Sequence, residues 1–357
     1  MKNKKYQSLV IEAIVFDLSL FENVVVPENA ATNMHTTQSE NLSPEFKTAS
    51  YEKFLRMHKA NLVYQQLAKV VEIPKHKGMS IEFYEKVHID PVLTPIVEGM
   101  TPDPNKFTIK AKTATLEQFG DWVLFSDVAL GTSLHDLVNA VRDPQGYQSA
   151  RTKNLLQRNA LVKTTKVAFA SSIVDGVETE VTSQKTLTGD CKLTVREVKK
   201  MVARLRRNNV PPAIGEDYVM VIHPDTEFDL TEDPEWKEQN KYINNENMLN
   251  GQVGRISGMR FLSSSDTLIT KGGTNDPTGL AVYHNLVFGA EAFGAVDLGG
   301  EGTQHIAKGL GSGGTADPLN QRATVGWKFM ATTPILDELG VWDLMTTSSF
   351  SKTAIAN

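Results

Sequence analysis

The stretch GSGGTADPLNQRATVGWKFMATTPILDELGVW, residues 311–342, decides how the fold of this 357-residue chain is interpreted. It joins a glycine-rich loop to a run in which Val325, Trp327 and Phe329 alternate with smaller or polar residues. That period of two is typical of a strand with one buried face. We therefore predict a loop that leads into a strand near the end of the chain.

The glycines of this loop also have the spacing of a dinucleotide-binding motif. Gly309, Gly311 and Gly314 fit the pattern G-x-G-x-x-G. The motif requires a helix directly after the last glycine and an acidic residue about 20 positions later. Because Asp317 and Pro318 follow instead, we predict a scaffold loop and no cofactor site.

Length, charge and cysteine content restrict the class of protein. The chain is long enough for about two domains with their own cores, and its formal net charge is -5. The single cysteine, Cys191, excludes a disulfide framework and a thiolate metal cluster. The apolar stretch SLVIEAIVF near the start is interrupted by Glu12 and is too short to span a bilayer. We predict no membrane association and no dedicated nucleic-acid binding.

The first part of the chain is predicted to be extended. Residues 1–48 are mostly polar and have few aromatic side chains. Helical spacing begins at Ser50, with Tyr51, Phe54, Leu55, His58 and Leu62 on one face.

Two strands of a long hairpin follow. Their apolar positions alternate at Met79, Ile81, Phe83 and Val87 and again at Phe107, Ile109 and Ala111. The connection contains four prolines, and two strands alone cannot bury an apolar face. Composition leaves open whether the hairpin packs on its own domain or on another subunit.

Two helices are predicted next, from Ser133 to Val141 and from Gln145 to Ala170, with Pro144 as the break. The second has an apolar stripe that includes Leu156 and Ala160. Its other face carries only positive charge, at Arg151, Lys153, Arg158, Lys163 and Lys166. This basic face either lines DNA at an inner surface or is solvated or pairs with another subunit; the second interpretation is favoured.

The later region mixes helices and strands. Asp175-Gly176 marks a hairpin, and Thr194 with Glu197 forms a capping box before a helix. The helix has a basic exposed side without interleaved aromatic residues, which disfavours nucleic-acid binding. The apolar run from Tyr218 to Ile222 predicts a strand buried on both faces. Further strands are expected around Met259–Leu262 and Leu280–Phe288.

Motifs for catalysis are nearly absent. His223, Asp225, Asp229 and Asp233 are the best metal candidates, but Asp225 after Pro224 is better explained as a helix N-cap. The zincin, P-loop and nucleophile-elbow patterns are missing. We predict no catalytic, cofactor-binding or metal-binding residues and no enzyme activity.

Several blocks carry a resemblance to one family, in the same order along the chain. They are ANLVYQQL from Ala60, IPKHKGMSIEF from Ile73, LTPIVEGMTPD from Leu93, FGDWVLFSD from Phe119, LRRNNVPP from Leu205, VIHPDTEFDLTEDPEW from Val221 and the terminal stretch. Together the blocks resemble a tailed-bacteriophage major capsid protein of the podovirus-type branch. This family has the Johnson fold, first seen in phage Hong Kong ninety-seven.

The resemblance implies an α+β capsid subunit with four parts. These are an N-terminal arm with one helix (1–74), a long E-loop (75–126), a discontinuous peripheral domain (127–188 and 321–350) and an axial domain (189–320). The helix with the basic face would be the spine helix of the peripheral domain. The terminal strand would then pack near Leu156 and Ala160.

The resemblance also implies self-assembly as hexamers and pentamers into an icosahedral shell around double-stranded DNA. Contacts between subunits are expected at Met79, Ile81, Phe83, Phe107 and Ile109, with Tyr51 and Phe54 as lesser candidates. Scaffolding, portal and decoration proteins are the other expected partners, DNA contact would be non-specific, and the virion would assemble in the host bacterial cytoplasm. The alternatives are an encapsulin-like nanocompartment shell and a soluble α+β enzyme with an unrecognised site.

Overall fold

The computed structural model describes most of the chain after residue 62. The described residues are 34–35, 63–86, 91–93, 95–96, 98–99, 101, 109–133, 137–174, 176–240, 252–272, 279–299, 303–353 and 356–357. Tyr51, Phe54 and Phe107, and most of the predicted arm, lie outside them.

Helices and strands alternate in an α+β arrangement. The α-helices are α1 (Asp127–Thr132), α2 (Leu137–Leu161), α3 (Val195–Arg207), α4 (Pro224–Glu232) and α5 (Pro234–Asn240). The strands are β1 (Met34–His35), β2 (Lys69–Ile73), β3 (Ser80–Lys86), β4 (Ile109–Thr115), β5 (Glu117–Ser126), β6 (Val167–Phe169), β7 (Ser172–Val174), β8 (Val177–Thr179), β9 (Tyr218–Ile222), β10 (Gln252–Ile256), β11 (Met259–Ser263), β12 (Ile269–Lys271), β13 (Ala281–Phe288), β14 (Gly294–Leu298), β15 (Gln304–Lys308), β16 (Arg322–Thr332) and β17 (Val341–Thr346).

A seven-stranded sheet in the order β10-β11-β9-β13-β17-β6, with β12 beside β13, organises the larger of two compact units. Tyr218, Met220 and Ile222 of β9 pack in one core with the apolar face of α3. Val219 and Val221 point the other way, into a core with Leu161 of α2 and with Tyr64. The sheet is covered on both faces, which explains why all five residues of β9 are buried and apolar.

Helix α2 presents polar side chains to the sheet. Its buried polar residues are Gln145, Ser149, Asn154, Gln157 and Arg158. Leu156 and Ala160, predicted to form the inward stripe, are only half-buried. The loop after β11 supplies the partners: Asn154 Nδ2 donates to Asp266 Oδ2 over 3.1 Å, and Arg158 Nη1 donates to the Asp266 carbonyl over 2.9 Å. The prediction of an apolar stripe is therefore wrong for this part of the helix.

The predicted terminal strand is confirmed as β16, and Val325, Trp327 and Phe329 are buried. It lies against α2, because Gln145 Nε2 donates to the Val325 carbonyl over 2.9 Å and Trp327 Nε1 donates to Gln148 Oε1 over 3.1 Å. These hydrogen bonds lie about two turns or more before Leu156 and Ala160 along the helix.

The predicted bounds of the helices around Pro144 are wrong. Leu137–Leu161 is one helix with Pro144 inside it. It ends nine residues before Ala170, since Val167 and Ala168 instead pair with Asp343 and Leu344 in the sheet.

Ser133, the predicted start of the first of these helices, borders residues 134–136, which lie outside the described part of the chain. It is the C-cap of α1, and Ser126 is the N-cap, with its Oγ accepting from the Ala129 amide over 3.2 Å.

The helix predicted after Thr194 is present as α3, but the capping box is not formed. Thr194 makes no side-chain cap bond, and its hydroxyl is buried without a partner among the described groups. Asp233 Oδ2 accepts from the Val195 amide instead, over 3.1 Å. A cap from a residue 38 positions away leaves no local signal in the sequence. The predicted hairpin at Asp175-Gly176 is present as β7 and β8.

Strands β3 and β4 form the predicted hairpin, in a register that places Phe83 opposite Lys112 and Glu85 opposite Lys110. Ile81 and Phe83 pack against a core of Ile73, Leu116 and Val296. The end of the hairpin near Ser80 and Thr115 therefore packs against its own chain.

The described part of the smaller unit comprises residues 34–35, 123–133 and 308–324. Strand β1 runs parallel to the Leu124–Phe125 segment of β5, and Asp317 accepts the Gln321 and Arg322 amides at 3.1 and 2.8 Å. The four predicted domain boundaries stay a prediction.

Glycines allow two strands to approach closely in the larger unit. A Cβ on Gly326 would lie 2.7 Å from Trp122 Cβ and 2.8 Å from the Asp121 carbonyl oxygen. We expect Gly326→Ala to lower the free energy of unfolding by about 1–3 kcal/mol, because backbone must move to admit the methyl group. Urea unfolding measures this. Gly309→Ala is the control, since a Cβ there has no atom within 4 Å; equal effects of the two changes would contradict the explanation.

Candidate functional site

The glycine-rich loop lacks the long helix that a dinucleotide-binding motif requires after its last glycine. Gly311 and Gly314 have positive φ values of 84° and 55°. A three-residue 3-10 turn, Gly314–Ala316, follows in place of a long helix, and the loop then enters β16. The Asp317 carboxylate accepts two amides of this turn and the following strand, so it serves the loop's own backbone.

The candidate metal residues are engaged in other hydrogen bonds. Asp225 accepts from the Tyr283 hydroxyl over 2.5 Å, Asp229 from the Ser349 amide over 2.9 Å, and Asp233 from the amides of Val195 and Glu235. The part of the chain that the structure describes contains no group of three His, Cys, Asp or Glu side chains placed to hold a metal ion.

The N-cap of α4 is His223 rather than the predicted Asp225. Nδ1 of His223 accepts from the Asp225 amide over 3.1 Å, and Pro224 occupies the first helical position. Only neutral imidazole can accept this bond. Burial lowers the pKa of His223 from 6.5, and the Asp225 carboxylate 3.4 Å away opposes this shift by raising it.

This cap predicts a pH dependence of stability. The unfolded chain binds a proton at His223 near pH 6.5, whereas the folded chain does so at a lower pH. The stabilisation is therefore complete above about pH 6.5 and declines as the pH falls through that value. Urea unfolding from pH 8 to pH 5 should show a shallower decline for His223→Asn, because asparagine caps without titrating. Identical slopes for the two proteins would refute this role.

One buried arrangement has the connectivity of a catalytic triad. Thr270 Oγ1 lies 2.9 Å from His284 Nε2, and His284 Nδ1 lies 2.6 Å from Asp343 Oδ2. Burial raises the pKa of Asp343, and its hydrogen bond with His284 opposes the shift. His284 and Asp343 are 3% and 0% exposed, and Thr270 also accepts from Gln184 Nε2. The arrangement joins β12, β13 and β17, with His284 and Asp343 buried and Thr270 half-buried.

Two of the five residues of the predicted basic face, Arg151 and Lys153, pair with acidic residues from other elements. Arg151 Nε lies 3.0 Å from Asp266 Oδ1, and Lys153 Nζ lies 2.7 Å from Asp297 Oδ2. Arg158 is buried, as described above. Lys163 is exposed and Lys166 half-buried. The five residues therefore do not form one continuous solvent-facing strip.

The basic side of α3 is similar. Arg196 and Lys200 both pair with Glu178 of β8, and Lys199 pairs with Glu235 of α5. The hydrogen bond from Lys200 is the main cause that lowers the pKa of Glu178. Local sequence could not show these pairings, since the partners lie 18 to 36 residues away.

Substitution of the buried Arg158 and of the exposed Lys163 distinguishes a structural role from a surface position. We expect Arg158→Met to lower the free energy of unfolding by about 3 kcal/mol, because it leaves buried partners unpaired. The exposed Lys163→Met should change it by less than about 0.5 kcal/mol. Urea unfolding of both variants checks this, and a neutral Arg158→Met would show that the buried contacts do not stabilise the fold.

Large apolar side chains are exposed on the β3–β4 hairpin and its connection. Met79 and Ile109 are 55% and 57% exposed. Val92, Leu93 and Ile96 between the strands are 70–88% exposed. Exposed apolar groups concentrated on one loop are typical of an interaction surface. Of the seven predicted contact residues, Met79 and Ile109 are thus available to a partner, whereas Ile81 and Phe83 are half-buried against their own chain.

Alternation along the sequence did not identify the apolar residues of the connection or Tyr84, which is 66% exposed, as candidate contacts. Bulky apolar residues between prolines, as in VLTPIV from Val92, were the available signal. No helix in the described part of the chain is long and apolar enough to cross a membrane.

Comparison with known proteins gives one family. A model described as phage capsid protein matches residues 110–342. A search of curated proteins finds no match.

Solved capsid structures share the fold. The capsid of Ralstonia phage GP4 has a TM-score of 0.62 at 15% identity and covers 88% of this chain and 98% of its own. The capsid asymmetric unit of cyanophage Pam1 has 0.60 at 13%, covering 87% and 99%. The head structure of Helicobacter pylori bacteriophage KHP40 has 0.59 at 10%, covering 89% and 100%. The predicted α+β capsid-subunit fold is confirmed.

Proposed function

Because this chain belongs to the phage capsid protein family, and is a major capsid protein of a phage shell, we propose that its β3–β4 hairpin joins neighbouring subunits. The exposed apolar residues of the hairpin and its connection carry the proposal. Two strands cannot bury such residues by themselves, and another surface must cover them to remove them from water.

The two ends of the hairpin serve different purposes in this proposal. Ile81 and Phe83 hold it to its own chain through the core of Ile73, Leu116 and Val296. Lys112 Nζ adds a hydrogen bond to the Leu336 carbonyl over 3.1 Å. With this end fixed, Ile109 and the connection can contact another subunit without the whole hairpin having to become ordered on binding. Met79 lies at the fixed end, where its carbonyl accepts from the Leu116 amide over 2.8 Å, and offers its exposed side chain from there. Tyr51, Phe54 and Phe107 remain proposed contacts.

Assembly as hexamers and pentamers into an icosahedral shell follows from the same proposal. A closed shell gives every subunit several partners, so contacts that are weak individually become stable together. The subunit works by assembly rather than catalysis. Double-stranded DNA, scaffolding, portal and decoration proteins are the proposed partners, and the host bacterial cytoplasm is the proposed place of assembly.

Removal of the connection tests the proposal. A variant without residues 89–105 should fold but fail to form shells, because the deleted segment carries Val92, Leu93 and Ile96 and none of the strand pairs. Negative-stain imaging with size-exclusion chromatography measures assembly, and circular dichroism reports whether the variant folds. Normal particles from the deletion variant would contradict the proposed contact.

A point variant makes the test sharper. Leu93 is 88% exposed, more than any other apolar residue in the described part of the connection. Leu93→Asp puts a charge there and should lower particle yield by at least tenfold. Val177→Asp is the matched control, since Val177 is 66% exposed on the separate β7–β8 hairpin. If both variants lower the yield equally, the connection has no special role.

A further inference from the structure

Four buried side-chain oxygens between helix α2 and the sheet have no hydrogen-bond partner among the described residues. They are Tyr64 Oη, Asn154 Oδ1, Gln157 Oε1 and Asp343 Oδ1. Each of the four side chains belongs to a residue that is at most 2% exposed. Buried polar atoms in native proteins nearly always have a partner, so four in one layer require an explanation.

The four atoms belong to one region of the molecule. Asn154 and Gln157 lie three residues apart on the inward face of α2, and Asn154 Nδ2 binds Asp266. The charges that act on the Tyr64 hydroxyl are those of Arg158, Asp266 and Asp343. Asp343 alternates in β17 with Val341, which packs in the same core as Tyr64.

The orientation of the amide groups does not remove the problem. Asn154 donates through Nδ2 to the Asp266 carboxylate, so rotating its amide would place two acceptors together. Rotation of Gln157 would exchange an acceptor without a donor for a donor without an acceptor. Thr267 lies near the Tyr64 hydroxyl, but its own proton is donated to the Ser264 carbonyl over 2.8 Å, so it can accept from Tyr64 but cannot donate to it.

The missing groups are donors, and the local charges are already matched. Asn154 and Gln157 each present an amide oxygen that can only accept, and the Asp343 carboxylate presents a third acceptor when it is ionised. Arg151 pairs with the Asp266 carboxylate, while His284 hydrogen-bonds the other oxygen of Asp343. A neutral molecule with two protons to donate and room to accept from Tyr64 fits this set better than a further charge.

We propose that this layer holds a buried water site bounded by Tyr64, Asn154, Gln157 and Asp343. With Asp343 ionised, the three acceptor oxygens need three protons, and one water molecule donates two, so at least two water molecules occupy the site. Buried water molecules typically make about three hydrogen bonds to such groups and are costly to remove. The water molecules would connect Asn154 and Gln157 of α2 with Asp343 of β17.

Replacement of Tyr64 by phenylalanine tests the proposal, because a wet and a dry layer shift the midpoint of thermal unfolding in opposite directions. If the hydroxyl binds water, Tyr64→Phe removes a hydrogen bond and should lower the midpoint of thermal unfolding by about 2 °C. If the layer is dry, removal of an unpaired buried hydroxyl should raise the midpoint, which would overturn the proposal. Tyr218→Phe is the matched control, since the Tyr218 hydroxyl donates to the Val210 carbonyl over 2.7 Å and must show the loss.

A second measurement identifies the occupant. An experimental density map of the wild-type particle at about 2 Å resolution should show peaks within 2.6–3.2 Å of these oxygens. Unfolding in sodium, potassium and choline salts at one ionic strength should give the same midpoint. A midpoint that rises only with sodium or potassium would assign a bound cation instead, and an empty layer in the map would refute the site.

Discussion

The contacts of Asp266 determine how the longest helix lies on the central sheet. Its carboxylate accepts from Arg151 and Asn154 and its carbonyl from Arg158, so three successive turns of α2 bind one residue of the loop after β11. Apolar surfaces tolerate small shifts, whereas hydrogen bonds require both distance and angle. Because a buried charge without its partner is strongly destabilising, helix and loop must adopt this arrangement together.

This dependence explains which parts of the fold could be predicted from the sequence. The buried strand β9, the hairpin β3–β4 and the terminal strand β16 have patterns that repeat over a few residues, and all three are present. The inner face of α2 has no such pattern. Asn154 and Gln157 look like solvent-facing residues until Asp266, more than 100 residues later, is known to lie beside them.

The candidate contact surface on the β3–β4 hairpin could also be predicted only in part from the sequence. Alternation correctly gave the strands of the β3–β4 hairpin, but it could not tell which apolar residues face a partner. Ile81 and Phe83 meet Val296, more than 200 residues away in sequence, whereas Met79 and Ile109 meet no comparable core. The distinction is tertiary, and only the structure makes it. The family resemblance supplied the function, which no single motif in the chain would have indicated.

The same long-range pairing also bears on the proposed contact between the shell and DNA. Each basic group that neutralises a phosphate adds salt-dependent affinity. In this chain, carboxylates of the same subunit pair with five basic residues of the two helices: Arg151 and Lys153 of α2, and Arg196, Lys199 and Lys200 of α3. These pairs hold the helices against neighbouring elements. Because the basic groups are already paired, they interact less with phosphate. A shell whose basic residues are paired in this way would make few ion pairs with DNA phosphates, and would therefore bind DNA weakly.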